Sequence, residues 1–147
     1  MLKEKLLEDF KSAMRDKNEI RKNTLTLIRS SILQVEKDKQ IELTDEQIIE
    51  IISKEAKKRK DSLVEFEKSG REDLITQTKQ EMEIVKEYLP EEISEEKLTE
   101  IIKEVIVETE AKDMKDMGKV MKLTKERVGV TADGKTINEI VKKLLQN

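Results

Sequence analysis

The sequence predicts an all-α fold. Three observations carry that prediction: four Gly and one Pro in 147 residues, apolar side chains recurring at helical spacing, and charges dense enough to coat solvated helix faces. Sandwiches and barrels need many turns, and turns consume Gly and Pro.

The opening segment places Leu6, Phe10, Ala13 and Met14 on one stripe, the i, i+3, i+4 signature of an amphipathic helix. Asp16 to Glu19 reads as a turn. A second stripe follows through Ile20, Thr24, Leu27, Ile28, Ser31, Ile32 and Val35, with Leu25 widening it. Thr44-Asp45-Glu46-Gln47 matches a capping box, in which hydroxyl and amide side chains satisfy each other's orphan backbone groups. Leu43 before it fits the outer half of a hydrophobic staple. The helix so started carries Ile48, Ile52, Ala56, Arg59, Leu63 and Phe66 on one face. Ile is a modest helix former, so burial must hold this stretch. Ser69-Gly70 is a stop signal.

A fourth stripe runs through Leu74 or Ile75, Thr78, Met82, Val85 and Leu89, and halts at Pro90, which lacks the amide and restricts its predecessor. Pro90 therefore marks the expected boundary between an N-terminal domain of about four helices (1–90) and a C-terminal domain of three (91–147). Tyr88, beside this stop, is expected to pack at the junction. Past it, Ser94 caps a helix with Glu95 and Glu96 in its first turn and Leu98, Ile101, Ile102, Val105 and Ile106 on its apolar face. A shorter element holds Met114, Met117, Val120 and Met121. Gly118 inside it points either to close packing or to an early helical turn. The last helix buries Ile137, Ile140, Val141, Leu144 and Leu145, with Asp133 as its N-cap. Arg127 to Lys135 is the longest expected irregular stretch of this half.

Composition also bounds the chemistry. With no His and no Cys, a Cys/His zinc site and the Ser-His-Asp or Cys-His catalytic arrangements are excluded. Carboxylates are so frequent that no pair is singled out, and no catalytic residue, metal site or cofactor is assigned. The first residues lack a signal peptide's apolar run, and no stretch approaches a membrane span. The expectation is a soluble cytoplasmic protein.

The net charge of −3 comes from 30 basic and 33 acidic groups, and it hides an uneven distribution. Residues 91–110 hold eight acids and two bases, whereas residues 111–147 hold nine bases and five acids. Lys115, Lys119 and Lys122 fall at i, i+4, i+7, and Lys125 and Arg127 extend that line toward the glycine-containing loop. Lys54, Lys57 and Lys58 form a second line on the long helix. Exposed ammonium groups in line suit successive phosphates; they are equally the solvated face of any Lys-rich helix. With no Trp, one Tyr and two Phe, stacking of bases on aromatic platforms is disfavoured. Nucleic-acid contacts would run to backbone and shape, which favours folded RNA over a sequence-read DNA site. Asp133-Gly134-Lys135 offers either a phosphate-binding amide nest beside a Lys or a structural turn with a cap.

Asp116-Met117-Gly118-Lys119-Val120-Met121, followed by Ala132-Asp133-Gly134-Lys135 and Asn138, resembles the GatB/YqeY family. Leu27 to Ile32, Arg59-Lys60-Asp61-Ser62 and Glu81 to Pro90 extend the resemblance to its stand-alone members. The resemblance implies an all-helical protein whose small C-terminal domain is similar to the tail of the aspartyl/glutamyl-tRNA amidotransferase B subunit, where it helps hold tRNA and does no chemistry. A label of carbon–nitrogen ligase with glutamine as amido donor attaches to the family through that larger enzyme. The family commonly places Gly and then a basic residue before Ala-Asp-Gly; here those positions are Val130 and Thr131. The charge lost there leaves Lys119, Lys122, Arg127 and Lys135 as the main phosphate candidates, with Lys125 beside them. The expected function is a non-catalytic tRNA- or structured-RNA-binding module. The alternative is an adaptor for a synthetase or amidotransferase subunit, using the acidic 94–110 helix or the methionine-containing element.

Overall fold

The computed structural model describes residues 1–146, and the described elements are all helical: seven α-helices and two 3-10 turns, with no strand among them. The chain forms two compact units, Met1–Leu89 and Pro90–Asn147.

The first unit contains α1 (Leu2–Arg15), α2 (Glu19–Lys39), α3 (Asp45–Ser69) and α4 (Glu72–Lys86). Local chemistry sets its helix ends. The Asn18 side chain accepts from the Arg21 amide at 3.1 Å to start α2. At α3 the capping box closes both ways: the Gln47 amide donates to Thr44 Oγ1, and the Thr44 amide donates to Gln47 Oε1 at 2.9 Å. Leu43 outside that cap and Ile48 inside it are both buried in the same core, as a staple requires. Gly70 ends α3 at φ +69°, a left-handed conformation that costs glycine little. At the end of α4 the amides of Glu87, Tyr88 and Leu89 turn back to carbonyls three residues earlier, and Pro90 follows.

Leu6, Leu25, Ile28, Ile32, Ile48, Ile52 and Val85 fill the core of this unit. Two sequence expectations need correction here. Leu25, and not Leu27, faces inward: Leu25 is fully buried and Leu27 is 52% exposed. The two lie on opposite flanks of the Thr24–Ile28 stripe, and only packing against the neighbouring helices chooses between them. Met14 is half exposed. Tyr88 belongs to the core of this unit, where its hydroxyl donates to Asp9 Oδ2 at 2.5 Å and the Lys5 ammonium lies 5.5 Å from its ring centroid.

Two ionic side chains are buried between the helices. Glu55 and Arg59, each 8% exposed, pair at 2.9 Å one turn apart on α3. Arg59 Nη1 also donates to the Glu55 carbonyl at 3.1 Å, and Ser31 Oγ of α2 donates to the Glu55 carboxylate at 3.3 Å. The Arg59 Nε–H has no partner.

The second unit contains α5 (Glu95–Glu108), a 3-10 turn at Met114–Asp116, α6 (Met117–Val128), a 3-10 turn at Gly129–Thr131 and α7 (Gly134–Leu145). Ser94 caps α5 by accepting from the Lys97 amide. Leu98, Ile102, Val105, Val120, Ile137 and Val141 form the core. The stretch from Arg127 to Lys135 is much more regular than its composition suggests. Arg127 lies in the last turn of α6, Gly129–Thr131 is helical, and the Thr131 carbonyl accepts from the Ile93 amide at 2.9 Å. That bond ties the segment entering α5 to the α6–α7 connection.

Thr124 is fully buried on the core face of α6, and its hydroxyl has no hydrogen-bond partner. An unsatisfied buried hydroxyl costs about 1–3 kcal/mol, and Val has nearly the same shape and helix propensity. Thr124→Val is therefore expected to stabilise the second unit by about 1 kcal/mol, read as a higher midpoint in urea denaturation followed by circular dichroism.

Candidate nucleic-acid interface

The lysines proposed for phosphate contact fall into three structural groups. Lys122 and Lys125 sit one turn apart on the solvent side of α6, opposite Val120, Thr124 and Val128, and both are exposed. Lys135 is exposed in the first turn of α7. None of the three has a carboxylate within 4.0 Å among the described residues. The Lys125 side chain reaches across to the start of α7: a Cβ built on Gly134 would lie 3.7 Å from Lys125 Cε and 3.8 Å from its Nζ. The Lys125 ammonium therefore lies by the N-terminus of α7, the helix whose first turn carries Lys135.

Lys119 and Arg127 are engaged. Lys119 Nζ pairs with Asp116 Oδ1 at 3.3 Å. Asp116 also accepts from the Lys112 amide at 2.8 Å. That bond, with the help of Lys119, outweighs partial desolvation and holds the Asp116 carboxyl below the usual range. Arg127 does not extend the lysine line: it is turned toward α5, where its guanidinium pairs with Glu108. Lys115 is likewise off the α6 face, because it belongs to the preceding 3-10 turn, capped by Asp113. The i, i+4, i+7 spacing assumed one continuous helix, and the change of pitch at Asp116–Met117 breaks it.

Asp133 caps α7 as its sequence position predicts, accepting from the amides of Lys135 at 2.7 Å and Thr136 at 3.2 Å. Of the two readings of Asp133-Gly134-Lys135, the structure displays the turn with its cap. The amides that a phosphate nest would use are already taken by a carboxylate, so the motif is a cap and turn, and Lys135 is its contribution to the surface. Gly118 occupies the second position of α6, exposed, with nothing within 4 Å of where a Cβ would stand. Close packing is thus not its reason. Gly118→Ala is expected to raise stability by about 0.4–1 kcal/mol, because alanine has less backbone freedom to lose on folding at a position that both residues can adopt, as seen in the thermal midpoint.

On the first unit, Lys54 and Lys57 are exposed on α3, and Lys58 pairs with Glu55 at 3.3 Å. Glu50 lies four residues before Lys54 and Asp61 four residues after Lys57, so this face alternates in sign.

The described residues contain no group of three or more acids positioned to hold a metal ion, and no helix among them is long and apolar enough to cross a membrane. What the described surfaces present is ammonium groups and helix ends, with apolar side chains filling two cores. This defines a class by fold: an all-helical protein.

The YqeY-like protein family matches residues 3–145, and the chain belongs to that family. Among its relatives is "Altered inheritance of mitochondria protein 41, mitochondrial" of Pyrenophora tritici-repentis, 30% identical over 143 residues, which cover 93% of this chain and 79% of the relative. The proteins of the same name from Lachancea thermotolerans and Kluyveromyces lactis are 40% and 36% identical over 85 and 84 residues. Those matches cover 57% and 56% of this chain, and 46% and 45% of the two yeast proteins. The chain thus spans most of the first relative and just under half of the other two. The expectation of a cytoplasmic protein is overturned by these relatives, which are named as mitochondrial proteins. The missing apolar run speaks only to one export signal, and charge and composition carry no mark of compartment.

Proposed function

We propose that the chain is a non-catalytic module for structured RNA, with tRNA as the favoured class, and that the second unit carries the binding surface. One observation supports this most: Lys122 and Lys125 on α6 and Lys135 in the first turn of α7 are exposed cations without ion-pair partners among the described residues, with Lys125 Nζ lying over the start of α7. Their geometry suits phosphates, because each is a flexible point charge with three donors. Lys119 joins them readily, since an exposed ion pair such as its bond to Asp116 is worth at most about 1 kcal/mol. The scarcity of aromatic side chains directs recognition to backbone and shape. In the same reading the two units are domains, 1–90 and 91–147, with the second playing the part of the amidotransferase B-subunit tail.

Filter binding with total tRNA at several salt concentrations tests this. Saturable binding is expected, weakening steeply with salt. Lys122→Gln/Lys125→Gln/Lys135→Gln should lower the salt slope by roughly 2–3, about one for each phosphate contact removed. Binding that does not saturate, or a triple variant with unchanged affinity and slope, overturns the proposal.

One observation favours a second reading, an adaptor for a synthetase or amidotransferase subunit. Val107 stands 76% exposed on the outer face of α5, one turn beyond the exposed Lys103 and Glu104. Recovery of such a subunit by the wild-type chain after RNase treatment, lost in Val107→Glu, supports this reading, and RNase-sensitive recovery counts against it.

A further inference from the structure

α1 and α2 run antiparallel, with Lys3 Nζ meeting Glu36 at 2.8 Å near one end and the Arg29 guanidinium lying 5.0 Å from the Phe10 ring centroid further along. Between these two contacts the helices leave an open cleft of about 220 Å³, with Leu6, Leu7, Ile32 and Leu33 along its floor and sides. Leu33 is 55% exposed on its rim. Met14, seven residues beyond Leu7 on α1 and half exposed, continues the apolar line past Phe10. The volume lies below the roughly 300–1,000 Å³ of small-molecule sites. It suits one or two aliphatic side chains presented by something larger.

Charge identifies the kind of occupant. Glu36, the acid of α2 at this seam, is already committed: it accepts from Lys3 and from the Leu43 amide at 3.0 Å. Arg29 has no carboxylate within 4.0 Å among the described residues; only the Phe10 ring steadies its guanidinium. Lys3 and Glu4 also line the cleft and are each already paired, Lys3 with Glu36 and Glu4 with the N-terminal ammonium. The cleft therefore combines an apolar floor with one guanidinium, that of Arg29, that lacks a carboxylate partner among the described residues. A guanidinium in a fixed fork is matched by a carboxylate.

We propose that the α1–α2 cleft is a docking site for an amphipathic helix of a partner protein, one that inserts leucine-type side chains one turn apart and places a Glu or Asp against Arg29. This is the helix-in-groove mode, read through i and i+3 or i+4 anchors. The proposal rests on the first unit alone and is independent of the RNA reading.

The test uses the full chain and a fluorescein-labelled, alanine-based helical peptide carrying two leucines one turn apart and a glutamate on the next turn. A second peptide has glutamine in place of the glutamate. Fluorescence polarisation is expected to show saturable binding of the first peptide, weakened about tenfold or more by Leu33→Asp. Leu33 is exposed, so this variant should retain the wild-type circular dichroism and melting curve. Arg29→Gln should weaken the glutamate peptide about tenfold and leave the glutamine peptide unchanged, the signature of a direct pair. Absence of saturable binding, insensitivity to Leu33→Asp, or equal loss for both peptides with Arg29→Gln overturns the proposal. A dimer in sedimentation equilibrium that Leu33→Asp disperses also overturns it, because a second copy would then fill the cleft.

Discussion

Replacing Arg59 with Ala is expected to destabilise the first unit by about 3–5 kcal/mol, the range for breaking a buried ion pair from one side. The loss has two parts. Glu55, 8% exposed in the native structure, is left with only Ser31 and the exposed Lys58 as partners. The space left by a long side chain also removes packing beneath α3. Replacing Glu55 and Arg59 together by Leu and Met should recover most of the loss, since apolar pairs of similar volume replace buried ion pairs at little or no cost. Arg59 has an Nε–H without a partner, so the native arrangement is incompletely satisfied to begin with. Chemical denaturation of the two variants beside wild type checks both expectations. A double variant as unstable as the single would show that the pair contributes more than its desolvation costs.

The same pair sets an acid response. Burial alone would lift the Glu55 carboxyl, but the hydrogen bonds from Arg59 and Lys58 outweigh it and hold its pKa below the ordinary Glu value. A group depressed in the folded state contributes stability that is full above its unfolded pKa and is lost as pH falls through the folded one. The stability difference between wild type and Glu55→Gln should therefore narrow as pH drops through the carboxylate range.

Replacing Ile102 with Ala is expected to cost about 2–5 kcal/mol, the transfer free energy of the lost methylenes plus the cavity they leave. Ile102 is fully buried at the centre of the α5–α6–α7 core. Pro90–Asn147 is a short stretch, and small units bury a small fraction of their surface and hold little reserve. This single change is thus expected to melt the second unit at a temperature where the first remains folded. Two separated transitions in calorimetry would support the proposed 1–90 and 91–147 domains. One transition, lowered as a whole, would show that they unfold together.

The helix ends were the most legible part of this molecule. Thr44 with Gln47, Gly70, Pro90, Ser94 and Asp133 each act within one turn of their own position, so a short window of sequence contains both donor and acceptor. The all-α class followed from the same local signals. The inward face of α2 was less legible: Leu25 and Leu27 both flank the stripe, and nothing within a turn distinguishes them. The candidate site was legible as residue types and only partly as geometry. Lys122, Lys125 and Lys135 are exposed, as a basic surface requires. Yet the pairing of Arg127 with Glu108, and of Lys119 with Asp116, removes part of the line that spacing alone had drawn.

By itself the sequence determined an all-helical chain, those helix ends that carry a cap, a glycine stop or a proline, and its exclusion from histidine and cysteine chemistry. Only the tertiary structure decided that the lysine of one helix crosses the glycine that opens the next, that Tyr88 bonds to Asp9, and that Arg29 is left without a carboxylate beside an open cleft. Caps and stripes act over a turn and are written in neighbouring residues. The bond from Tyr88 to Asp9 joins positions 79 residues apart, and such a contact exists only after packing has chosen which faces meet.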